Sequence, residues 1–167
     1  KLRSGKLALP LDGNRVDVIF KEGSSALVEI KIDGKPPSEI PELYGFTRAL
    51  STPGGKLPVI LKLGWEKPLQ PEDWTLEAVK DALDPKIFNF KLSGSATGLD
   101  GEGRSDRKFV SKSGRVVIDS QDWNVEYSLA LPGIKPVPDR FLVHWKIVPY
   151  FKDAVSRADS DGGTGRA

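Results

Sequence analysis

Apolar and polar residues alternate with a period of two along much of the chain, and this alternation is typical of β-strands with one buried face. In residues 140–148, one face carries Phe141, Val143, Trp145 and Ile147. We predict eight or nine such strands, in residues 6–11, 15–21, 26–32, 57–63, 71–83, 86–92, 115–118, 123–131 and 140–148. Turn-forming pairs such as Asp-Gly and Pro-Gly separate many of these segments, as expected for antiparallel strands joined by short connections.

Residues 71–83 fit two kinds of secondary structure. An early proline, early acidic residues, and the near-helical spacing of Trp74 and Ala78 favour a helix. The alternation of Trp74, Leu76 and Ala78 with polar residues favours a strand. Because residues 86–92 are strongly β in character and follow an Asp-Pro turn, we interpret the two segments as a hairpin and predict a strand.

Two longer segments are predicted as loops. Residues 93–119 join two β-type runs and contain five glycines with alternating acidic and basic side chains, so we predict a surface loop positioned by its flanking strands. Residues 38–55 contain Pro41 and little periodicity. We predict an ordered loop there, with one helical turn and with Tyr44 and Phe46 as its anchors.

The fold class follows from many short strands separated by turns. Glycine and proline contribute 17 and 13 of the 167 residues, an excess that indicates frequent turns. We therefore predict an all-β domain, a jelly-roll-like β-sandwich of eight or nine strands with at most short helical turns. The domain is expected to occupy residues 1–153, and residues 154–167 are expected to form a flexible C-terminal tail or linker.

Composition narrows the classes of function. Hydrophobic residues make up 38% and charged residues 29% of the chain, as in a soluble globular protein. The 25 basic and 23 acidic residues are well mixed, which gives no electrostatic footprint for nucleic acid or a membrane surface. The lack of cysteine excludes disulfides and thiol catalysis but leaves the compartment open. The chain does not begin with methionine and contains no signal peptide, so we expect an excised or processed segment.

Candidate catalytic residues are few. His144 is the only histidine and lies in the middle of a predicted strand, so we interpret it as a structural or surface residue. Two carboxylate pairs, Glu72 with Asp73 and Asp119 with Asp122, have the chemistry of a glycosidase acid and base. Both pairs lie beside turns, where solvated charge is the usual state, so hydrolysis is an alternative and not the first expectation.

The glycine-rich segment contains a possible calcium site. Asp100, Glu102 and Asp106 supply carboxylates at intervals within a short stretch, as calcium loops do. Arg104 lies between them, and Ser111 occupies the place of the last glutamate in an EF-hand loop. We expect local ion pairs here, and calcium is the one cofactor that remains open.

Aromatic residues give the strongest indication of a binding site. Trp74, Trp145 and Tyr127 alternate with apolar neighbours and are expected in the core. Trp65 and Trp123 lie at strand edges beside polar residues, where exposed rings can stack on sugars. The predicted carbohydrate-binding residues are Trp65, Trp123, Tyr44, Asp122 and Asn124. Packing in the core or at its rim is the alternative for each ring.

Four segments carry a family resemblance: residues 28–48, 66–76, 93–123 and 141–153. Their amino-acid sequences, for example VEIKIDGKPPSEIPELYGFTR, resemble those of the accessory β domains that accompany SGNH/GDSL-type hydrolase domains in some environmental bacteria. The resemblance implies a non-catalytic partner of an esterase-like enzyme that acts on decorated polysaccharide. No Gly-Asp-Ser block and no Asp-x-x-His block occurs in the chain, so no catalytic residue of those hydrolases is carried over.

Together these observations predict a non-catalytic carbohydrate-binding module of a larger, polysaccharide-acting bacterial enzyme. Its expected partners are a polysaccharide or oligosaccharide and a catalytic domain in the parent chain, with neither nucleic acid nor a membrane. The expected location is secreted or periplasmic. Two alternatives remain open: a structural domain that docks against an SGNH-type hydrolase domain, and a carboxylate-dependent glycoside hydrolase.

Overall fold

The computed structural model describes residues 5–13, 17–20, 27–52, 57–130 and 135–156, and within these ranges the protein is built from eleven strands. They are β1 (Leu27–Glu29), β2 (Tyr44–Phe46), β3 (Ala49–Thr52), β4 (Pro58–Ile60), β5 (Glu72–Lys80), β6 (Phe88–Gly94), β7 (Gly98–Arg104), β8 (Phe109–Val110), β9 (Val117–Ile118), β10 (Arg140–Pro149) and β11 (Ala154–Ser156). Short helical turns occur at Pro37–Glu39, Pro41–Leu43, Ser120–Asp122 and Glu126–Ala130.

One antiparallel sheet of seven strands organises the fold. Its order is β4-β3-β10-β5-β6-β7, and β2 pairs with β10 beyond β3. The long strand β10 therefore lies at the centre, with β2 and β3 on one side and β5 on the other. Trp145 of β10 lies opposite Trp74 of β5, so both indoles point to the same face. Two small sheets, β1-β11 and β8-β9, complete the described strands.

The core lies on one face of the seven-stranded sheet. Burial alternates along β5, β6 and β10, because successive side chains of a strand point to opposite faces. Leu76, Leu92 and Val143 are fully buried on the inner face. The β8–β9 hairpin and residues 116–125 cover this face, with Phe109 and Trp123 packed against Phe90 at ring-centroid distances of 5.0 and 5.3 Å. Two packed layers of strands give a sandwich-like arrangement, so the predicted all-β class is confirmed.

The strand predicted in residues 71–83 is confirmed as β5, and it forms the predicted hairpin with β6. Full alternation of buried and exposed side chains from Glu72 to Ala78 explains why the strand prevails over the helix. The predicted strands in residues 57–63, 86–92 and 140–148 correspond to β4, β6 and β10.

The loop predicted in residues 93–119 is wrong in part, since β7 and β8 lie within this segment, whereas β9 corresponds to the strand predicted in residues 115–118. Glycine serves there as a packing residue. A Cβ on Gly103 would lie 2.5 Å from a ring carbon of Phe90 and 2.8 Å from one of Phe109, so only glycine lets the two rings pack against this strand. Composition alone does not distinguish such glycines from loop glycines.

The strand predicted in residues 123–131 is also wrong. Residues Glu126–Ala130 form a turn of π-helix instead, and the Ser128 N–H donates to the Asn124 carbonyl at 3.0 Å. Val125 is 8% exposed and Tyr127 is 59% exposed, so these two residues do not share a buried face. Their period-two spacing is coincidental.

Other predicted elements differ from the observed ones in their bounds or their type. In residues 38–55, Tyr44 and Phe46 are anchors as predicted, but they belong to β2 and are followed by β3. The described parts of the predicted strands 6–11 and 15–21 contain no strand, and residues 14–16 and 21–26 lie outside the described residues. The strand predicted in 26–32 is shortened to β1. The predicted tail begins with β11, which pairs with β1, and residues 157–167 lie outside the description.

Candidate functional site

The five predicted carbohydrate-binding residues do not form one platform. Tyr44 is only 7% exposed, and its hydroxyl donates to the Ser38 carbonyl. Its ring belongs to the hydrophobic core next to β10, so it has no free face for a sugar. The inclusion of Tyr44 in a binding surface is therefore wrong, because the side chain is needed for packing.

Trp65 is an exposed aromatic residue on another part of the surface. It is 53% exposed and packs against Phe46 with a ring-centroid distance of 5.8 Å. The preceding Gly64 forms a backbone bridge with Val117, and the following Glu66 N–H donates to the Gly114 carbonyl at 2.8 Å. These bonds hold Trp65 beside the β8–β9 hairpin.

Trp123 and Asn124 lie together at the rim of the core. The Trp123 ring is partly buried against Phe90, and its indole Nε1 is buried with no hydrogen-bond partner in the described part of the chain. The Asn124 side-chain amide donates to the Pro58 carbonyl at 3.2 Å, and the neighbouring Asp122 carbonyl accepts from the Leu61 N–H at 2.8 Å. Bonds to residues 58–61 thus position Asp122 and Asn124, and Trp123 forms a backbone bridge with Ile60.

Trp123 and Asn124 line an open depression of about 380 Å³ between the β5–β6 turn and the helical turn of residues 126–130. We call it the Tyr127 depression; its lining residues are Pro85, Lys86, Phe88, Ser105, Trp123, Asn124, Val125, Glu126, Tyr127 and Val137. Of the residues predicted from sequence, only Trp123 and Asn124 contribute to it, and Trp65 does not.

Tyr127 is a candidate binding residue that the sequence pattern misplaces. The period-two pattern predicts it in the core, whereas the structure exposes 59% of it at the depression. The three-residue spacing of the buried Val125 and Ser128 is the signal of helical geometry that leaves Tyr127 on the outer side.

Polar groups in the Tyr127 depression divide into fixed and free ones. The Ser105 hydroxyl oxygen accepts from the Phe88 N–H at 2.9 Å, so Ser105 holds the start of β6 in place. The side chains of Lys86 and Glu126 are exposed and have no hydrogen bond or ion pair with other described residues. An aromatic ring beside a free ammonium and a free carboxylate is a combination that can stack on and hydrogen-bond to a sugar.

The three predicted calcium ligands have separate partners. Asp100 is buried and accepts bonds from the Ser113 N–H and hydroxyl at 2.8 and 2.6 Å. Glu102 is exposed and pairs with Lys91 at 3.1 Å, and Asp106 binds Arg104. Within the ranges described, no group of three or more acidic or histidine side chains has the arrangement of a metal site. Each of these acidic side chains is thus bound within the protein, and Asp100 is the buried one.

Of the two proposed acid–base pairs, Glu72 with Asp73 is separated by the sheet geometry. Glu72 and Asp73 are adjacent on β5 and therefore point to opposite faces; the Glu72 side chain is fully buried, and Asp73 pairs with Lys146 at 3.0 Å. Asp119 and Asp122 flank a helical turn, where the Asp122 N–H donates to the Asp119 carbonyl. His144 is half-buried on the outer face, with Nδ1 3.1 Å from the Thr75 hydroxyl.

A second depression, of about 640 Å³, lies on the solvent-facing side of the seven-stranded sheet. We call it the outer groove; its lining residues are Glu77, Val79, Asn89, Phe90, Lys91, Glu102, Gly103, Arg104, Arg107 and Arg140. Asp81 lies beside it and forms an ion pair with Arg104 at 2.9 Å. Hydrogen bonds from the Asn89 amide and then from the Leu83 and Asp84 N–H groups lower the pKa of Asp81 from 3.8 to about 2.

Comparisons with protein-family models, with curated proteins and with solved structures find no match to this chain. The resemblance to domains that accompany SGNH-type hydrolases thus stays a prediction. None of the helical segments in the described residues has the length and apolar character needed to cross a membrane.

Proposed function

We propose that this protein is a non-catalytic carbohydrate-binding module that accompanies a larger, polysaccharide-acting bacterial enzyme. Its sugar-binding site is the Tyr127 depression, and polysaccharide or oligosaccharide is its ligand. The proposal keeps the function predicted from the sequence but moves the site away from Tyr44 and Trp65. A secreted or periplasmic location belongs to the same proposal.

The exposed ring of Tyr127 at a depression that polar side chains also line carries the proposal. Tyr127 is 59% exposed and lines the same depression as Trp123 and Glu126, whose carboxylate has no partner among the residues that the structure describes. Aromatic rings contribute large contact areas to binding sites, and their polar neighbours fix the orientation of the ligand. The open shape of the depression suits one segment of a polymer that continues into solvent.

The environment of the pair Glu72 and Asp73 favours binding over hydrolysis by these two residues. A glycosidase requires two carboxyl groups that face the same glycosidic bond. Glu72 and Asp73 point to opposite faces of β5, and Glu72 is engaged by the backbone N–H of Ala96 at 2.7 Å. Their bonds give these residues structural roles, which supports a module without catalysis of its own.

The test compares two tyrosines of equal exposure. The wild-type protein is titrated calorimetrically with a panel of plant and algal oligosaccharides, and the best ligand is titrated into Tyr127→Ala and Tyr150→Ala. Tyr150 is 61% exposed and packs over Gly45, away from the Tyr127 depression. We expect Tyr127→Ala to weaken binding at least about tenfold, which corresponds to about 1.4 kcal/mol. Tyr150→Ala should retain the wild-type affinity.

A lack of binding to any saccharide in the panel would contradict the proposal. Equal losses in the two tyrosine variants would also contradict it, since the depression would then have no special role. Trp65→Ala separates the two aromatic sites: a loss there with none in Tyr127→Ala would return the site to Trp65. Thermal unfolding of each variant confirms that it is folded before its affinity is interpreted.

Exposed aliphatic residues near the start of the chain favour a second candidate function, docking against a hydrolase domain. Leu7, Leu9 and Leu11 recur at alternate positions and are all exposed. A row of exposed leucines on one segment is typical of an interaction surface. Co-purification with the hydrolase domain encoded in the same gene, compared between wild type and a triple leucine-to-serine variant, tests this function. Association unaffected by the three substitutions would exclude this surface.

A further inference from the structure

The outer groove is built from four neighbouring strands of the sheet. Arg140 of β10 lies opposite Val79 of β5, Val79 lies opposite Asn89 of β6, and Asn89 lies opposite Arg104 of β7. With strands about 4.8 Å apart, this row places Arg140 and Arg104 roughly 14 Å from each other. The next row towards the middle of the sheet places Lys91 between Glu77 and Glu102.

The charged groups of the groove differ in how far they are neutralised. Arg104 is fixed by Asp81 and Asp106, and Lys91 is paired with Glu102. Two groups retain binding capacity. Arg107 uses only its Nε towards Asp106, at 3.4 Å, and the Arg140 guanidinium has neither an ion pair nor a hydrogen bond with the rest of the described chain.

Glu77 adds an acceptor to this groove. Its exposed carboxylate is likewise without a partner in the described ranges, and it lies diagonally across from Arg140 on the neighbouring strand. A ligand that binds these groups of the outer groove therefore needs an anionic group that binds arginine and a hydroxyl group that donates to the Glu77 carboxylate. Asp81 and Asp106 balance the excess of cations among the lining residues, so the net charge of the groove favours neither sign. The groups that retain binding capacity are two arginines, Arg107 and Arg140, against one carboxylate, Glu77, and this favours an anionic ligand.

We propose that the outer groove is a second binding site, for the uronate carboxylates of an acidic polysaccharide. Each uronate unit carries a carboxylate that a guanidinium can bind through two parallel hydrogen bonds, and hydroxyls that Glu77 and Asn89 can bind. Arg140 of β10 and Arg107, which follows β7, both line the groove, so a polymer with several carboxylates can reach both arginines, whereas one small anion reaches only one. This site is independent of the Tyr127 depression.

The experiment titrates the protein with oligogalacturonate and with its fully methyl-esterified form at low ionic strength. We expect the acidic oligosaccharide to bind and the neutral ester to bind much more weakly. Arg140→Ala should weaken binding at least about tenfold, the loss expected for hydrogen bonds to a charged group. Arg140→Lys should recover only part of it, since lysine lacks the planar fork. Added salt should weaken binding, because the groove is exposed.

Arg48→Ala is the matched control, since it removes one exposed arginine outside the groove. Tyr150→Ala, which removes an exposed ring outside both depressions, should also leave oligogalacturonate binding unchanged. The inference is overturned if oligogalacturonate does not bind, if its ester binds equally well, or if Arg140→Ala and Arg48→Ala lose the same affinity. A preference for a sulfated glucan over oligogalacturonate would likewise overturn it.

Discussion

The buried carboxylate of Glu72 explains much of the local sequence around the β6–β7 turn. It accepts from the Ala96 N–H at 2.7 Å and from the Thr97 hydroxyl at 2.8 Å, and Arg115 Nη2 lies 3.8 Å away. A buried charge is tolerated when it is paired and hydrogen-bonded in this way. Glu72 thus anchors the turn, and the space it occupies requires glycine at position 94.

Replacing Gly94 by alanine is expected to destabilise the protein by about 1–3 kcal/mol. The new Cβ would lie 2.3 Å from Glu72 Oε1, and Glu72 cannot move without breaking its bonds to the turn. Urea unfolding measures the change. Gly64→Ala is the matched control, because its Cβ would meet Val117 at an ordinary 3.5 Å. Equal stabilities of the two variants would show that the Glu72 side chain adapts freely.

Asp81 is expected to titrate far below an ordinary aspartate. The Asn89 amide, then the Leu83 and Asp84 N–H groups, lower its pKa from 3.8 to about 2. Since the folded pKa is lower than the unfolded value, the stabilisation is fully present above about pH 4 and is lost as the pH falls through about 2. Carboxyl-detected NMR titration measures this pKa directly.

The variant Asn89→Ala removes the largest cause of this shift. Its Asp81 pKa is expected to lie above that of the wild type, so acid unfolding should begin at a higher pH. An unchanged Asp81 titration in Asn89→Ala would contradict the assigned cause.

At the scale of elements, sequence periodicity predicts strands well where one face is buried throughout. It identifies β5, β6 and β10, because their inner residues pack against a continuous layer of side chains. It misplaces residues 123–131, where the Asn124 N–H bonds to the Val59 carbonyl at 2.8 Å and the chain then turns as a helix. That bond joins residues far apart in sequence, so local spacing contains no trace of it.

The alternation along β5 predicts that substitutions at neighbouring positions change the stability of the protein by very different amounts. Leu76→Ala should destabilise the protein by about 2–5 kcal/mol, because the leucine is fully buried at the centre of the sheet. The adjacent Glu77→Ala should change stability by no more than about 0.5 kcal/mol, since that side chain is exposed. Chemical denaturation of both variants checks the expectation. Similar effects in the two variants would contradict the strand register.

The turn after β8 gives a prediction about calcium. Asp100→Ala should destabilise the protein by about 1–3 kcal/mol, because it leaves the Ser113 donors without their buried acceptor. Glu102→Ala, which removes only an exposed ion pair, should have little effect. Millimolar calcium should not change the melting temperature of the wild type. A calcium-dependent rise that disappears in Asp100→Ala would restore the metal site.

At the scale of the whole molecule, the residues that the sequence predicts for one aromatic binding surface lie at separate places. Trp123 and Asn124 lie at the Tyr127 depression, whereas Tyr44 belongs to the core and Trp65 to another surface. Tyr127 is misplaced because exposure depends on the helical turn and on the strands behind it. The spacing of an aromatic residue from its neighbours in the sequence does not reveal whether the face of its ring is exposed to solvent.

The two depressions lie on different parts of the sandwich and differ in chemistry. The Tyr127 depression offers aromatic rings at the edge between the two layers, and the outer groove offers arginines on the exposed face of the sheet. A module with both sites could hold one polysaccharide chain at two points, or two different chains. Two linked contacts raise the overall affinity above that of either site when both can be occupied together.

The most direct test of the central proposal is an amide NMR titration of the wild-type protein with the neutral oligosaccharide that binds best in the panel. We predict that the largest chemical-shift changes fall on residues 85–88 and 123–127, which line the Tyr127 depression. We also predict that they disappear in Tyr127→Ala and persist in Tyr150→Ala. Changes centred on Trp65, or no changes at all, would contradict the proposed site.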